Sequence, residues 1–268
     1  MSKFRKGIFL SLFVNYTLFH NFIIYIFLKF SLKLFNFKKV YIFNLLTRIL
    51  HIGNYCFSYY GVKLFNPNFE DPTFRYCNGG AYGEYYSNFI LNYENDFNFI
   101  DIGANIGIYT LIARKNKKCL NIYSFEPNNR IFQDLSKNIS SSENINTFNF
   151  AISSDEGEEK FFIDPKSSGS SRISTELSNS FIKTVNFQFL KKILYKKKNL
   201  IIKIDVEGHE KVVLDQILKS VDLDDIKSIF IEIENKEQMV KYFEERLKKF
   251  NLVYSSKNNK RCDFHFIN

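Results

Sequence analysis

The sequence predicts an α/β protein with a doubly wound, mostly parallel sheet and an α-helical segment at its N-terminus. From about residue 97 onward, short apolar runs alternate with segments of helical spacing, a pattern typical of parallel strands joined by crossover helices. Three of these runs end at acidic residues, Asp101, Glu126 and Asp205. Because ligands of such sheets bind beyond the carboxyl ends of the strands, we expect the three acids to converge on one site.

The first apolar run, 97–102, leads into a glycine turn and then into a helix predicted over 108–117. Gly103 and Gly107 permit backbone conformations and close approaches that a Cβ would forbid. A ligand can therefore lie directly against main-chain N–H groups at the start of the helix. The predicted cofactor-binding residues of this turn are Asp101, Gly103, Ala104, Asn105 and Gly107.

The same turn discriminates between two cofactors. A dinucleotide fingerprint, G-x-G-x-x-G, needs a middle glycine so that the pyrophosphate can approach the backbone, and this turn lacks it. The Asp101 carboxylate would repel a pyrophosphate but attract an ammonium, directly or through water. S-adenosyl-L-methionine (SAM) carries an ammonium and a sulfonium and no phosphate, so the turn favours SAM. An NAD-dependent sugar-modifying enzyme remains the alternative.

A second acid, Glu126, follows the glycine turn by about 20 residues, at the end of a strand predicted over 120–125. A carboxylate at this spacing can accept hydrogen bonds from both hydroxyls of a ribose. Pro127 marks the end of the strand, because proline cannot continue a central ladder. A third strand is predicted over 148–152. Residues 153–185 are polar and serine-rich, and within them 167–171 is predicted to form a mobile loop that contacts the acceptor, with a flexible surface crossover as the alternative.

The third acidic strand, 200–204, completes a set of motifs that together point to one family. Asp101-Ile-Gly-Ala-Asn-Ile-Gly, Phe125-Glu126-Pro127 and Lys203-Ile-Asp-Val-Glu-Gly-His-Glu210, in this order, resemble the FkbM family of SAM-dependent methyltransferases. The resemblance covers about residues 95–235. It implies a Rossmann-like class I methyltransferase domain at 97–268, in which strand order reverses between the Asp101 and Asp205 strands. It also implies that Pro127 and Ala151 belong to the cofactor site, with Ala151 against the adenine.

The resemblance implies O-methylation of a hydroxyl, often on a sugar or a secondary metabolite. A protonated sugar hydroxyl is a poor nucleophile, so a general base is expected. His209 has the ordinary pKa that suits this task, with Asp205 and Glu207 as alternative bases or as groups that orient it. The same two carboxylates could hold a divalent cation, although their spacing does not demand one and we assign no metal. Glu232 is a further candidate for lining the acceptor pocket, and a plain surface position is the alternative for His209.

Residues 1–60 are predicted to form a basic, apolar helical segment, followed at 61–96 by a lead-in loop and lid. An uncharged stretch, 7–28, is flanked by basic residues: Lys3, Arg5, Lys6, Lys29, Lys33, Lys38, Lys39 and Arg48. This pattern predicts peripheral membrane contact through residues 1–50, with a membrane span over 7–28 as the minority interpretation. Helices packed on the catalytic domain would show a similar pattern, and a non-catalytic, membrane-bound adaptor is a further alternative.

The net charge and the cysteine content limit the classes of partner and the cellular location that we expect. A net charge of +9 and a pI near 9.2 favour anionic partners such as lipid headgroups or acidic glycans, although AT-rich coding would also raise the lysine content. The four cysteines are scattered and form no C-x-x-C pair, which favours a cytoplasmic protein. The basic, apolar N-terminus predicts a position at the inner face of the membrane. The predicted acceptor is a sugar of a surface glycan or lipid-linked oligosaccharide, and no nucleic acid partner is predicted.

Overall fold

The computed structural model describes residues 16–28, 39–80, 83–139, 143–234, 236–257 and 261–268. The chain divides into two compact units, Met1–Glu84 and Tyr85–Asn268. This division falls within the stretch 61–96 that was predicted as a separate lead-in, and not at either of its ends.

The N-terminal unit combines helices with a short antiparallel hairpin. Its elements are a helix in residues 16–28 (α1), α2 (Lys39–Leu50), β1 (Tyr55–Phe57), β2 (Lys63–Phe65) and α3 (Pro72–Gly79). The buried Asn21 amide fixes α1, donating to the carbonyls of Ile52 (2.8 Å) and Tyr55 (3.1 Å) and accepting from the Ile52 N–H (2.9 Å). The segment 1–60, predicted to be helical, thus contains α1 and α2, but it also contains the strand β1, which was not predicted.

The prediction of a loop over 61–96 was wrong, since this stretch contains β2, α3 and a further helix, α4 (Glu84–Leu91). Asp71 and Pro72, two residue types that are common in turns, here begin α3. The Asp71 side chain accepts from the Thr73 N–H at 2.9 Å, and proline is tolerated in the first helical turn because its missing N–H needs no partner there. The role of a lid stays a prediction, and Tyr82 lies outside the described residues.

The C-terminal unit contains two sheets and the helices packed on them. Its strands are β3 (Phe97–Ile102), β4 (Cys119–Phe125), β5 (Ile145–Phe148), β6 (Ala151–Ile152), β7 (Gly157–Phe162), β8 (Arg172–Ile173), β9 (Ser180–Val185), β10 (Leu200–Ile204), β11 (Ile226–Glu234), β12 (Asn251–Lys257) and β13 (Arg261–Ile267). Its remaining helices are α5 (Ile108–Lys115), α6 (Asn129–Ile139), α7 (Phe187–Ile193), α8 (Glu210–Ser220) and α9 (Glu237–Arg246).

The large sheet has the strand order β12-β13-β11-β10-β3-β4-β5, with β13 antiparallel to both of its neighbours and the other pairs parallel. The chain runs outward from β3 through α5 and α6, and outward from β10 in the opposite direction through α8. Right-handed crossovers place these two sets of helices on opposite faces, which makes the sheet doubly wound. The predicted fold class and the predicted reversal between the Asp101 and Asp205 strands are confirmed.

The strand predicted over 148–152 is divided between two sheets. Phe148 ends β5 in the large sheet, whereas Ala151 and Ile152 form β6, at the edge of a four-stranded sheet of order β6-β9-β7-β8. This second sheet occupies much of 153–185. The segment 167–171 lies between β7 and β8, and its mobility stays a prediction. Its small core contains Ala151, Phe161 and Ile182, and so few apolar positions give only a weak alternating pattern in the sequence.

Within the described ranges, no helix combines the length and the apolar character needed to cross a bilayer. Residues 7–15 of the candidate span over 7–28 lie outside those ranges.

Candidate active site

A buried lysine joins the carboxyl ends of the two central strands. The Lys203 ammonium on β10 lies 2.7 Å from the Gly103 carbonyl oxygen, 3.3 Å from Asp101 Oδ1 and 3.6 Å from Asp205 Oδ2. Only 3% of its side chain is exposed. Burial opposes its charge, but the Asp101 and Asp205 carboxylates outweigh burial and raise the pKa of Lys203, so the amine is protonated.

The Asp101 carboxylate is already hydrogen-bonded within the protein. Its Oδ2 accepts hydrogen bonds from the Thr110 N–H (3.1 Å) and the Thr110 hydroxyl (2.7 Å), and the Thr110 hydroxyl also bonds Ser124 Oγ at 2.7 Å. The Asp101 side chain has no exposed surface. In the structure Asp101 thus holds Lys203 and the first turns of α5, and its attraction of a ligand ammonium, directly or through water, stays a prediction.

The glycine turn packs backbone against backbone. Gly103 has φ of +75°, and a Cβ built on it would lie 1.8 Å from the Asp205 carbonyl oxygen, so only glycine fits here. The Gly103 and Ala104 N–H groups both donate to the Phe125 carbonyl, at 3.0 and 2.9 Å. A Cβ on Gly107 would meet the Leu135 side chain at 2.5 Å. The turn is thus fitted to the ends of both β4 and β10.

Glu126 lies at the end of β4 with its carboxylate turned toward the glycine turn. Oε2 accepts from the Asn105 N–H at 3.0 Å and Oε1 from the Asn128 N–H at 2.8 Å, and the residue is 6% exposed. One lone pair on each oxygen remains to accept from a ribose diol. Burial raises the pKa of Glu126 to about 7, opposed by the two N–H donors.

The predicted adenine side of the site connects to the same loop. The Asn149 amide donates to the carbonyls of Glu126 (2.9 Å) and Pro127 (3.0 Å), and Ala151 follows two residues later in β6. Across the turn, the Asn105 amide donates to Ser168 Oγ at 3.3 Å. The serine-rich segment 167–171 therefore reaches the glycine turn, a contact that the sequence did not predict.

Three carboxylates gather beyond the end of β10. Oxygen atoms of Asp205, Glu207 and Glu232 lie within 4.8 Å of one another, and the Arg261 guanidinium pairs with both Glu207 and Glu232. Burial and the Asp205 carboxylate raise the pKa of Glu232 to about 8, although Arg261 opposes this. Burial likewise raises the pKa of Glu207, and Arg261 again acts in the opposite direction. Carboxylates suit a divalent cation, but two of the three already pair with Arg261, and we assign no metal.

His209 immediately precedes α8 and is half-buried, which corrects the alternative of a plain surface position. Its Nε2 lies 3.1 Å from the hydroxyl of the buried Ser153, which follows β6. Burial lowers the pKa of His209, opposed by Glu159. The imidazole is therefore neutral at pH 7 and can accept a proton.

Sequence reasoning missed two of the charged groups that organise the site. Lys203 carries a detectable signal, because a charged residue inside an otherwise apolar strand must find partners when the strand is buried. Arg261 carries no such local signal, because its partners Glu207 and Glu232 are 54 and 29 residues away in the sequence. Its role depends on the pairing of β13 with β11, which sequence spacing does not show.

We expect Lys203→Met to destabilise the protein by about 3–5 kcal/mol, because it leaves two buried carboxylates without their cation. Urea unfolding followed by circular dichroism measures this. Lys118→Met is the matched control, since the Lys118–Asp96 pair (3.4 Å) is solvent-exposed and contributes at most about 1 kcal/mol. The double variant Lys203→Met/Asp101→Asn should recover part of the loss. Equal effects of the two lysine substitutions would contradict the assigned role.

Comparison with known proteins identifies the family. The family model described as a methyltransferase FkbM domain matches residues 101–266. Hexuronic acid methyltransferase AglP from Haloferax volcanii is 30% identical over 142 residues, covering 52% of this chain and 57% of the relative. The chain thus spans little more than half the length of that curated relative.

Solved structures give weaker similarities. The FkbM methyltransferase of Methylobacillus flagellatus is 14% identical with a TM-score of 0.43, covering 63% of this chain and 43% of that chain. M. capricolum TrmK with S-adenosyl-homocysteine is 14% identical with a TM-score of 0.41, covering 69% and 68%. The family model covers more than half of the sequence. The chain therefore belongs to the FkbM family of SAM-dependent methyltransferases, and SAM is its methyl donor, as the glycine turn predicted.

Proposed function

We propose that the protein transfers the methyl group of SAM to a hydroxyl oxygen of a sugar, within a surface glycan or a lipid-linked oligosaccharide. The observation that carries the proposal is a neutral, hydrogen-bonded His209 in the same domain as a glycine turn and carboxylate suited to SAM. The curated relative is named for a hexuronic acid, which supports a sugar acceptor. The cytoplasmic location inferred from the scattered cysteines belongs to the same proposal.

The residues present fit the cofactor. SAM supplies an electrophilic methyl group, and its sulfonium and ammonium together outweigh its single carboxylate, so it is a net cation. The tight backbone packing at Gly103 leaves no side chain in the turn at this position, and the remaining lone pairs of Glu126 suit a ribose diol. Asp205 and Glu207 bring more negative charge to the strand ends than the single charge of Arg261 neutralises, which suits the net cation SAM better than the phosphates of NAD. The NAD-dependent alternative is thus disfavoured on electrostatics as well as by family.

The proposed role of His209 is to remove the proton of the acceptor hydroxyl. Its ring needs a fixed orientation for this, and the hydrogen bond with Ser153 supplies one. Asp205 and Glu207 remain the alternative bases, but Asp205 already lies 3.6 Å from Lys203 and Glu207 is paired with Arg261. Most of the remaining rate enhancement would come from holding the acceptor oxygen in line with the methyl group.

The role of Glu126 can be tested by calorimetry with SAM. We expect Glu126→Ala to weaken SAM binding by about 1–3 kcal/mol through loss of charge-assisted hydrogen bonds. Because the pKa of Glu126 is about 7 and the ionised form accepts from the ribose, affinity should rise between about pH 6 and pH 8. Glu126→Gln should remove this dependence, whereas Glu158→Gln, at an exposed acid, should preserve it. Unchanged affinity in Glu126→Ala would mean that the ribose is held elsewhere.

A general-base role for His209 predicts a specific kinetic change. His209→Gln should lower kcat by about 100- to 10,000-fold and leave the dissociation constant of SAM within about twofold. Because burial lowers the pKa of His209, the kcat of the wild type should decrease only when the pH drops below about 6.5. This decrease should be absent in the variant. An unchanged kcat would assign the base to Asp205 or Glu207.

The acceptor class is tested by incubating the protein with methyl-labelled SAM and cell-envelope glycan fractions, including oligosaccharides with and without hexuronic acid. We expect label in the sugar as an alkali-stable ether. Alkali-labile label would indicate methylation of a uronate carboxylate, which needs no general base, and His209→Gln should then remain active. Label only in small metabolites or in nucleic acid would overturn the proposed acceptor class.

A further inference from the structure

We infer that the N-terminal unit docks on an anionic lipid bilayer through the outward faces of α1 and α2. All residues of this proposed surface belong to the N-terminal unit. The proposed docking is independent of the acceptor and of the catalytic residues proposed above.

The exposed face of α1 is apolar, although the helix also buries Tyr25 and Leu28 on its inner face. Its buried face includes the polar residues Thr17 and Asn21, both hydrogen-bonded within the unit. The opposite face is apolar and uncharged, and its exposed residues are Tyr16, Leu18, Phe19, Phe22, Ile23, Ile26 and Phe27. Amphipathic helices normally place such residues inward, so this arrangement indicates a surface that meets something apolar.

The second helix adds to this surface. Four large apolar residues of α2 are exposed: Tyr41, Leu45, Ile49 and Leu50. The two helices together thus expose eleven large apolar side chains, including five aromatic rings. Scattered single apolar residues are normal on protein surfaces, but a concentration of this size marks an interaction site.

The charge of the whole chain is concentrated in the same segment. Residues 1–69 contain nine Lys and Arg and no Asp or Glu. The chain totals of 37 basic and 28 acidic residues therefore leave 28 of each for residues 70–268, which are neutral overall. A coding bias toward lysine would act along the entire chain, so it does not explain an excess confined to the apolar segment.

An anionic bilayer is compatible with both the exposed apolar faces and the excess of positive charge. A second copy of the chain is compatible only with the apolar faces. Two copies could cover each other's apolar faces, but each would bring its own excess of nine positive charges. A bilayer with anionic headgroups accepts apolar and aromatic side chains at its interface and attracts nearby basic residues. Charge complementarity therefore selects the lipid surface.

The test is flotation of the full-length protein with vesicles. We expect binding to vesicles that contain phosphatidylglycerol, at least about tenfold weaker binding to pure phosphatidylcholine, and weakening at about 0.5 M salt. Phe19→Ser/Phe27→Ser should reduce binding at least about tenfold, because both side chains are about two-thirds exposed and would be withdrawn from water at the interface.

The matched control is Phe181→Ser/Tyr195→Ser, which removes two equally exposed aromatic side chains from the C-terminal unit. We expect this control to bind vesicles like wild type, with unchanged circular dichroism and SAM affinity in both double variants. Failure of the full-length protein to bind anionic vesicles would overturn the inference, as would equal losses in the two variants. A dimer in sedimentation that Phe19→Ser/Phe27→Ser dissociates, without vesicle binding, would assign the surface to a second copy.

Discussion

The arrangement of the site depends on one buried cation. The Lys203 ammonium binds the Gly103 carbonyl and lies beside two carboxylates that would otherwise meet, uncompensated, where β3 and β10 end. Fixing Gly103 also fixes the N–H groups of the turn on the Phe125 carbonyl, and hence brings β4 and Glu126 into position. A buried ion pair is weak support for overall stability, since desolvation offsets much of its attraction. Its contribution here is to specify how three strand ends meet.

The acids of the site cost stability at neutral pH. Burial raises the pKa of Glu126 and Glu210 to about 7 and that of Glu232 to about 8, so the folded state binds more protons than the unfolded state above about pH 4.5. Stability contributed by these groups is therefore present at low pH and lost as pH rises through 7 to 8. A bound cation such as SAM favours the ionised carboxylates and offsets that loss. The buried acids thus lower the stability of the ligand-free domain and favour the binding of a cationic ligand.

Local signals in the sequence were sufficient for the large sheet and for part of the site. The turn from Gly103 to Gly107 and the acids at 126 and 205 follow apolar runs directly, so a fold with one ligand edge could be predicted from them. The failures concern long-range pairing. The four-stranded sheet at 151–185 joins short segments with few apolar residues, and Arg261 reaches Glu207 only because β13 pairs with β11. At Asp71 and Pro72 the local signal is ambiguous instead, because aspartate and proline occur both in turns and at the first positions of helices.

The electrostatics of the site also bear on which oxygen accepts the methyl group. A hexuronic acid offers neutral hydroxyls and an ionised carboxylate. Asp205 and Glu207 would repel the carboxylate, and the neighbouring Arg261 could attract it only by giving up its existing partners. A hydroxyl meets no such repulsion, although it must lose a proton as it reacts. A neutral imidazole at residue 209 is useful only in that second case, so the charges of the site and the protonation state of His209 favour the same acceptor group.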